Sequence, residues 1–350
     1  MCDHERVRAK DEITPGQQRR PTIYDVARLA GVSKSLVSLV LQNSPRVSHE
    51  RRAAVHQAID ELHYRPSRAA AALAGSRTRT IGVLLDDYRN LWFVDLLSGI
   101  ELELAPLGYR VAVESITSNA HVDPSPLDGF ESLRVCGIMV ATEPTEAMRV
   151  SRDTPVVVVG HRDLALPGSD VVANDDQLGA RLATKHLLGL GHTEIGHLSG
   201  DGGSARFRYE GFESTMRQAG LQPRTLVGDD RGTGELQGYQ AARRLLAERP
   251  TTTAIFAAND TMALGAAAAA RDAGRRIPED VSLIGYDNSP LASSQLLRLT
   301  TMDPNSSQVG GVAARSLLAR MQDPDRESEE ILVDPQLVTR SSTAPPAPRS

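Results

Sequence analysis

From Ile81 onward the chain alternates short apolar runs with longer amphipathic segments, and this alternation restricts it to one fold class. IGVLLD leads into WFVDLLSGIELELAPLGY, RVAVESI, GIMVA and PVVVVG. GARLATKHLLGLGH, IGHLSG, RYEGFESTMRQAG, YQAARRLLAERP, TAIFAAN, TMALGAAAAARDAG and VSLIGYD follow. Apolar runs without a polar face are strands buried on both sides, and a helical segment after each supplies the crossover of a parallel sheet. There are too many such strands for one small sheet. The expected body is therefore α/β, with two doubly wound parallel subdomains. With aromatics at only 4%, its core must be built mostly of Ala, Leu and Val.

The first ordered stretch reads differently. Residues 22 to 63 carry three short helical patterns. Thr22 with Asp25 three residues on gives a capping-box start, with Val26, Leu29 and Ala30 at helical spacing. Ser33 can cap a second helix with Leu36, Val37, Val40 and Leu41 inward. Ser48 can cap a third with Val55, Ile59 and Leu62 on one face. Ala27, Gly31 and Val37 stand where a helix-turn-helix needs a small residue, a tight turn and an apolar anchor. In that arrangement the second helix enters the DNA major groove, presenting Lys34, Ser35, Ser38, Leu39 and Gln42. The spacing alone recurs by chance, and a generic helical subdomain is the competing reading.

Charge bears on this choice. The chain carries −5 overall, yet eleven basic residues oppose four acidic ones between Arg19 and Arg79, a local +7. A basic head on an acidic body suits a polyanion-binding module joined to a body that does not bind polyanions. The N-terminus MCDHERVRAKDEI lacks the apolar stretch of a secretory signal, and no run approaches the roughly 20 residues that span a bilayer. Two cysteines, Cys2 in a polar terminus and Cys136 inside VCGIMV as a buried thiol, make no disulfide framework. A cytoplasmic location is expected.

Enzyme readings fit poorly. Gly200, Gly202 and Gly203 follow a strand without dinucleotide or P-loop spacing. His186 and His192 lack zinc-helix spacing, and GHLSGD lacks the nucleophile-elbow pattern. No catalytic residue, metal site or cofactor is expected. A solute-binding protein with the same two-lobed body would need a secretion signal.

TIYDVARLAGVSKSLVSLVLQ and RVSHERRAAVHQAIDELHYRPSRAAAALAG resemble the headpiece of the LacI/GalR (lactose-repressor) family of bacterial transcriptional regulators. IGVLL, GARLATKHLLGLGH, RYEGF, FAANDTMALGA, IPEDVSLIGYD and LTTMD continue the resemblance in order to about Arg340. It implies a homodimer on a pseudo-palindromic operator. Thr22, Ser33, Ser48, Arg51 and Tyr64 match phosphate-contact positions, and Lys34, Ser35 and Leu39 match base-reading ones. Ile23, Ser38, Gln42, Arg46, Arg68 and Ala74 complete the implied DNA-facing set. SRAAAALAG would be a hinge helix that orders on specific DNA and inserts Leu73 into the minor groove. Leu39 replaces a common long polar residue, which implies apolar contact with a thymine methyl. Ala71 replaces a frequent polar hinge residue.

The expected organisation is a disordered extension (1–20), a headpiece (21–66), a hinge helix and linker (67–80), an effector-binding and dimerisation domain (81–340) and a disordered tail (341–350). The effector domain divides into an N-subdomain (about 81–166 and 298–325) and a C-subdomain (about 167–297 and 326–340). WFVDLLSGIELELA and SQVGGVAARSLLAR would form the dimer surface.

An effector should lie between the subdomains at the carboxyl ends of the strands. Asp86, Trp92, Phe93, His161, Arg208, Asn259 and Asp287 are the candidates, with Arg162 beside His161. The resemblance implies effector contacts at Arg208, Asn259 and Asp287. Acceptors near an aromatic face suit a sugar, whereas Arg208 could instead hold a carboxylate or phosphate. The bland alternative is that Asp86 and Asp260 cap the following helices while Trp92 and Phe93 pack beneath the cleft. GDDRGTGELQGY has no aromatic before Tyr239, where family members often carry one. The expected function is repression of a carbohydrate-utilisation operon, relieved by the effector. A corepressor-dependent regulator of a non-sugar metabolite is the alternative.

Overall fold

A computed structural model describes residues 21–41, 44, 46–64, 79–116, 127–145, 148, 154–164, 166–228 and 232–348. The expectations for 1–20 and for most of the hinge segment, including Arg68, Ala71, Leu73 and Ala74, lie outside these residues, as does Gln42. The chain separates into two units, residues 1–76 and 77–350.

The first unit holds α1 (Ile23–Leu29), α2 (Lys34–Leu41) and α3 (His49–Glu61). Gly31 takes φ +64° in the turn after α1, a conformation costly for any residue with a Cβ. Val26, Ala27, Val37, Val40, Val55, Ala58 and Tyr64 form one small core. Leu29 and Leu41, expected inside, are exposed. Helices of seven and eight residues leave few inward positions, and Val26 and Ala27 take them in α1 and Val37 and Val40 in α2.

The second unit contains β1 (Thr80–Leu85), α4 (Trp92–Leu104), β2 (Arg110–Ser115), α5 (Asp128–Leu133), β3 (Gly137–Ala141), β4 (Val156–Val159), β5 (Asp170–Asn174), α6 (Asp176–Gly189) and β6 (Ile195–Ser199). It continues through α7 (Gly203–Gln218), β7 (Arg224–Val227), α8 (Glu235–Glu248), β8 (Ala254–Ala257), α9 (Asp260–Asp272), β9 (Ser282–Tyr286), β10 (Thr300–Asp303), α10 (Ser306–Gln322), β11 (Glu330–Val333) and β12 (Gln336–Val338). Two sheets result, ordered β11-β5-β4-β3-β1-β2 and β12-β10-β9-β8-β6-β7. Every pairing is parallel except β12 with β10. The expected pair of doubly wound α/β lobes is therefore present. In each sheet the strand order reverses beside the first strand of the lobe, β1 and β6, which places a crevice at the carboxyl ends.

The subdomain limits differ from those expected. β5, placed in the C-subdomain, belongs to the first sheet, as does β11; β10, placed in the N-subdomain, belongs to the second. The chain crosses between lobes after Asn174, between Asp303 and Ser306, and between Val333 and Gln336. The polar first residue of β5 and the charged start of β11 hide these strands from a search for apolar runs.

Both sheets are buried on their two faces, the first by α4 and α10 on one side and Phe130 of α5 on the other. Small residues replace aromatics as the packing device. A Cβ on Gly238 or Gly265 would strike the facing helix backbone between α8 and α9, and one on Gly99 or Gly310 would do so between α4 and α10. Cys136 is partly exposed rather than fully buried, and it packs on the first-lobe core.

The first part of the tail expected to be disordered is built into the second lobe, bonded there through Ala344. Ser342 Oγ donates to Leu283 O at 2.6 Å and accepts from Thr300 N at 2.8 Å. His192 Nε2 donates to Ala344 O at 2.8 Å, and Ala344 N donates to Ser282 Oγ at 3.0 Å. Its prolines deny it a strand ladder but leave these hydroxyl and carbonyl pairings available.

Candidate functional site

In the headpiece, the N–H and hydroxyl of Thr22 both donate to Asp25 Oδ2, at 2.8 and 2.7 Å, which fixes the start of α1. Ile23 begins the helix and packs on the core. Ser33 Oγ accepts from Leu36 N at 3.2 Å, opening α2. Ser33, Lys34, Ser35 and Leu39 are exposed and Ser38 is half-buried, so the outward face of α2 carries small polar groups around one cation and one apolar side chain. Arg46, Ser48 and Arg51 are exposed as well, whereas the Tyr64 side chain sits in the core. Tyr24 was missed by the sequence reading. It is exposed on α1 with its ring 5.0 Å from Lys34 Nζ, and its place in the first turn of an amphipathic helix was the available signal.

The second unit encloses a cavity of about 100 Å³ at the carboxyl ends of both sheets. Asp86, Trp92, Phe93, Arg208, Asn259 and Asp287 line it, so six of the seven expected residues meet there. His161 stands behind the wall instead. Its neighbour Arg162 faces the cavity, together with Asn90, Asn174, Asp201, Ser204 and Thr233, which the expected set omitted. Asn174 ends β5 and Asp201 follows β6, so strand-end position was a signal for both.

The first-lobe wall offers unused donors. Trp92 Nε1 and Arg162 Nε are buried without a hydrogen-bond partner among the described residues. Buried polar atoms are nearly always paired, and these two donors belong to residues that line the cavity. Trp92 meets Phe93 edge-on at 5.1 Å, giving the cavity an aromatic corner. Burial lowers the Arg162 guanidinium from its ordinary value, and burial raises the carboxyl of Asp86, near whose pair of oxygens the Arg162 charge acts.

The second-lobe wall is organised around Arg208, which is 8% exposed. Its Nε donates to Asp176 Oδ1 at 2.7 Å and its Nη1 to Ala258 O at 2.6 Å, with Asp287 Oδ1 at 3.6 Å. The guanidinium lies 3.7 Å over the Tyr286 ring. Asp176 is wholly buried, and despite that burial its contacts with Arg208 and His161 hold it down at about 2. Asp287 is the counterpart. Burial, with the charges of Asp260 and Asp176 nearby, outweighs Arg208 and raises it to about 8, so it carries a proton at neutral pH. Asp287 and Asn288 both adopt positive φ, +106° and +47°, a costly backbone that turns the carboxyl toward the cavity.

Two strand-end residues resolve the capping question. Asn259 caps α9, accepting from Met262 N at 2.7 Å, and its amide donates to Thr233 O at 3.1 Å while lining the cavity. Asp260 does neither. Its carboxylate accepts from Thr301 Oγ1 at 2.6 Å and Ser289 N at 2.7 Å inside the lobe.

No cluster of three or more metal-ligating side chains and no membrane-crossing helix is found among the described residues. A basic helix-turn-helix unit together with a two-lobed body holding a polar, donor-rich cavity defines a ligand-responsive DNA-binding transcriptional regulator. Residues 22–67 match the bacterial regulatory proteins of the lacI family, and 184–343 match the periplasmic binding protein-like domain. The chain is 34% identical to the transcriptional regulator DegA of Bacillus subtilis over 336 residues, covering 93% of this chain and 99% of that protein. It is also 34% identical to the ribose operon repressor of Escherichia coli over 332 residues, 92% of this chain and 99% of that one. The operator-bound lac repressor dimer with the anti-inducer ONPF superposes at a TM-score of 0.78 and 28% identity, covering 93% of this chain and 100% of that one. The chain belongs to the LacI family.

Proposed function

We propose that this protein is a homodimeric repressor of a carbohydrate-utilisation operon, released from a pseudo-palindromic operator when a neutral sugar enters the inter-lobe cavity. The observation that carries the sugar assignment is the state of Arg208. Asp176 already neutralises its charge through Nε and the Ala258 carbonyl takes Nη1, which leaves the rest of the guanidinium to donate to a hydroxyl rather than to grip a carboxylate or phosphate. Asp86 and Asp287 on the same walls would repel an anion or, when protonated, donate to a hydroxyl. Trp92 Nε1 and Arg162 Nε supply donors and the Trp92–Phe93 corner an apolar surface, a combination that fits a polyol with one C–H face. A cavity of about 100 Å³ suits a small ligand. The ribose specificity in the name of one relative agrees with this size.

On the DNA side, Thr22, Ser33, Ser48 and Arg51 are proposed to contact phosphates and Lys34, Ser35 and Leu39 to read the bases, with Ile23, Ser38 and Arg46 on the same DNA-facing surface; the buried Tyr64 side chain drops out of the phosphate set. The exposure of Ser33, Lys34, Ser35, Leu39, Arg46, Ser48 and Arg51 supports this division. Dimerisation through α4 and α10 is supported by Val94 and Leu102, 54% and 74% exposed on α4.

Trp92 is the chain's one tryptophan and lines the cavity, so its fluorescence reports occupancy directly. Titration with neutral pentoses and hexoses, their phosphates and purine bases should give a saturable change with a neutral sugar. Saturation only with phosphorylated sugars or purines would overturn the sugar assignment.

A further inference from the structure

We infer that Asp176 is the positioning residue through which a ligand at Arg208 sets the closure of the two lobes, an inference that rests on the effector-cavity reading above. Asp176 is the first residue of α6, two positions beyond the end of β5, where the chain first crosses between lobes. Its carboxylate is shared across that crossing. Oδ2 accepts from His161 Nδ1 at 2.9 Å, in the first-lobe loop after β4. Oδ1 accepts from Arg208 Nε at 2.7 Å, on α7 of the second lobe, and from Asn174 Nδ2 at 3.0 Å at the end of β5. The His161 ring also rests 4.2 Å from the ring of Phe207, the residue before Arg208.

A wholly buried carboxylate is tolerated only while its charge is matched by close donors. Opening the lobes pulls His161 from Asp176 and leaves that charge matched by one cation, Arg208, with only the neutral Asn174 amide beside it. Arg208 is the same side chain whose other edge faces the cavity. A ligand that fixes the Arg208 guanidinium therefore fixes Asp176, and Asp176 in turn holds His161 and the first lobe. The Asn174–Tyr286 bond also reaches Arg208, through the Tyr286 ring, but two other bridges between the lobes lack this link. Glu143 Oε1 accepts from Gly203 N at 2.9 Å, and Arg206 Nε donates to Asp163 Oδ1 at 3.2 Å with both side chains about half exposed. Neither pair touches Arg208.

The test uses the intact chain without ligand and reads acrylamide quenching of Trp92. His161→Ala removes the first-lobe partner while leaving Arg208 on Asp176. It should raise the quenching constant about threefold, the size of change expected when a bias between two lobe arrangements is removed. Asp176→Asn should act in the same direction, and Asp163→Ala, which cuts only the exposed bridge, should leave quenching at the parent value. Melting temperatures measured alongside separate opening from unfolding. If Asp176→Asn does not fold, His161→Ala against Asp163→Ala still decides the matter. Equal quenching in His161→Ala and the parent, or equal opening by Asp163→Ala, would overturn the inference. With ribose as the probe, protection of Trp92 in the parent should shrink in His161→Ala. A parent that ignores ribose and every other sugar sinks the sugar reading and leaves the ligand-free comparison intact.

Discussion

Asn174 Nδ2 donates to the Tyr286 hydroxyl at 2.9 Å, joining the last residue of β5 in the first sheet to the last residue of β9 in the second. Both residues are buried, at 2% and 0% exposure, so the bond ties the lobes at their base without touching solvent. Tyr286 holds the ring under Arg208 as well. Removing the hydroxyl alone, Tyr286→Phe, leaves one Asn174 donor unpaired and should cost about 1–3 kcal/mol. Asn174→Ala should cost at least as much, because its amide also serves Asp176. Urea unfolding of the two variants checks the order.

Arg208→Ala leaves the ionised Asp176 buried with only His161 and Asn174 as partners. Breaking a buried pair from one side costs about 3–5 kcal/mol, so the variant should unfold at markedly lower urea and lose the Trp92 response to sugar. Arg208→Ala combined with Asp176→Asn should recover part of the stability and none of the sugar response, since the uncompensated charge is gone while the cavity contact is still missing.

Asp287 gives a pH signature with a defined sign. Its carboxyl is raised from 3.8 to about 8 in the folded protein, so between these values the native state holds a proton that the unfolded chain has released. Its contribution to stability is fully present below about pH 4 and is lost as pH rises toward 8. Asp260, raised to about 6, acts with the same sign over a narrower range. Asp287→Asn removes the larger effect. Urea midpoints at pH 5 and pH 8.5 should therefore fall more in the parent than in Asp287→Asn, and equal falls would contradict the assignment.

The headpiece predicts a division between affinity and specificity. Arg51→Ala should lower operator affinity and reduce the slope of log affinity against log salt by about one if the guanidinium neutralises a phosphate. Leu39→Ala should keep the slope and flatten preference at one base pair, worth about 1–3 kcal/mol of discrimination if the side chain reads a thymine methyl. Binding measured across salt and across single-base operator variants separates the two.

Much of this architecture was legible because buried parallel strands write themselves as apolar runs. VVVVG, IFAAN and LIGYD gave both the strands and, at their ends, Asn259 and Asp287. Three crossings between lobes were expected but each was placed several residues too early, because β5, β10 and β11 begin with the polar Asp170, Thr300 and Glu330 and are short, so none announces itself as an apolar run of either lobe. Asp170 is there to hold Arg320 and Ser316, a purpose visible only in three dimensions. His161 and Arg162 show the limit within the site. Both follow the same strand, and sequence position cannot say that Arg162 turns to the cavity while His161 turns to Asp176. The outward face of α2 followed from helical spacing, whereas the side chains of Leu29 and Leu41 sit at helix ends where spacing fixes the face least.

Selection of the purified full chain on random duplexes, followed by titration of the recovered duplex with the sugar that perturbs Trp92, tests the central claim most directly. The account predicts a pseudo-palindromic site whose occupancy falls as the sugar saturates the cavity. Recovery of no motif, with affinity declining uniformly with salt, or a recovered site whose occupancy is indifferent to every ligand that fills the cavity, would contradict it.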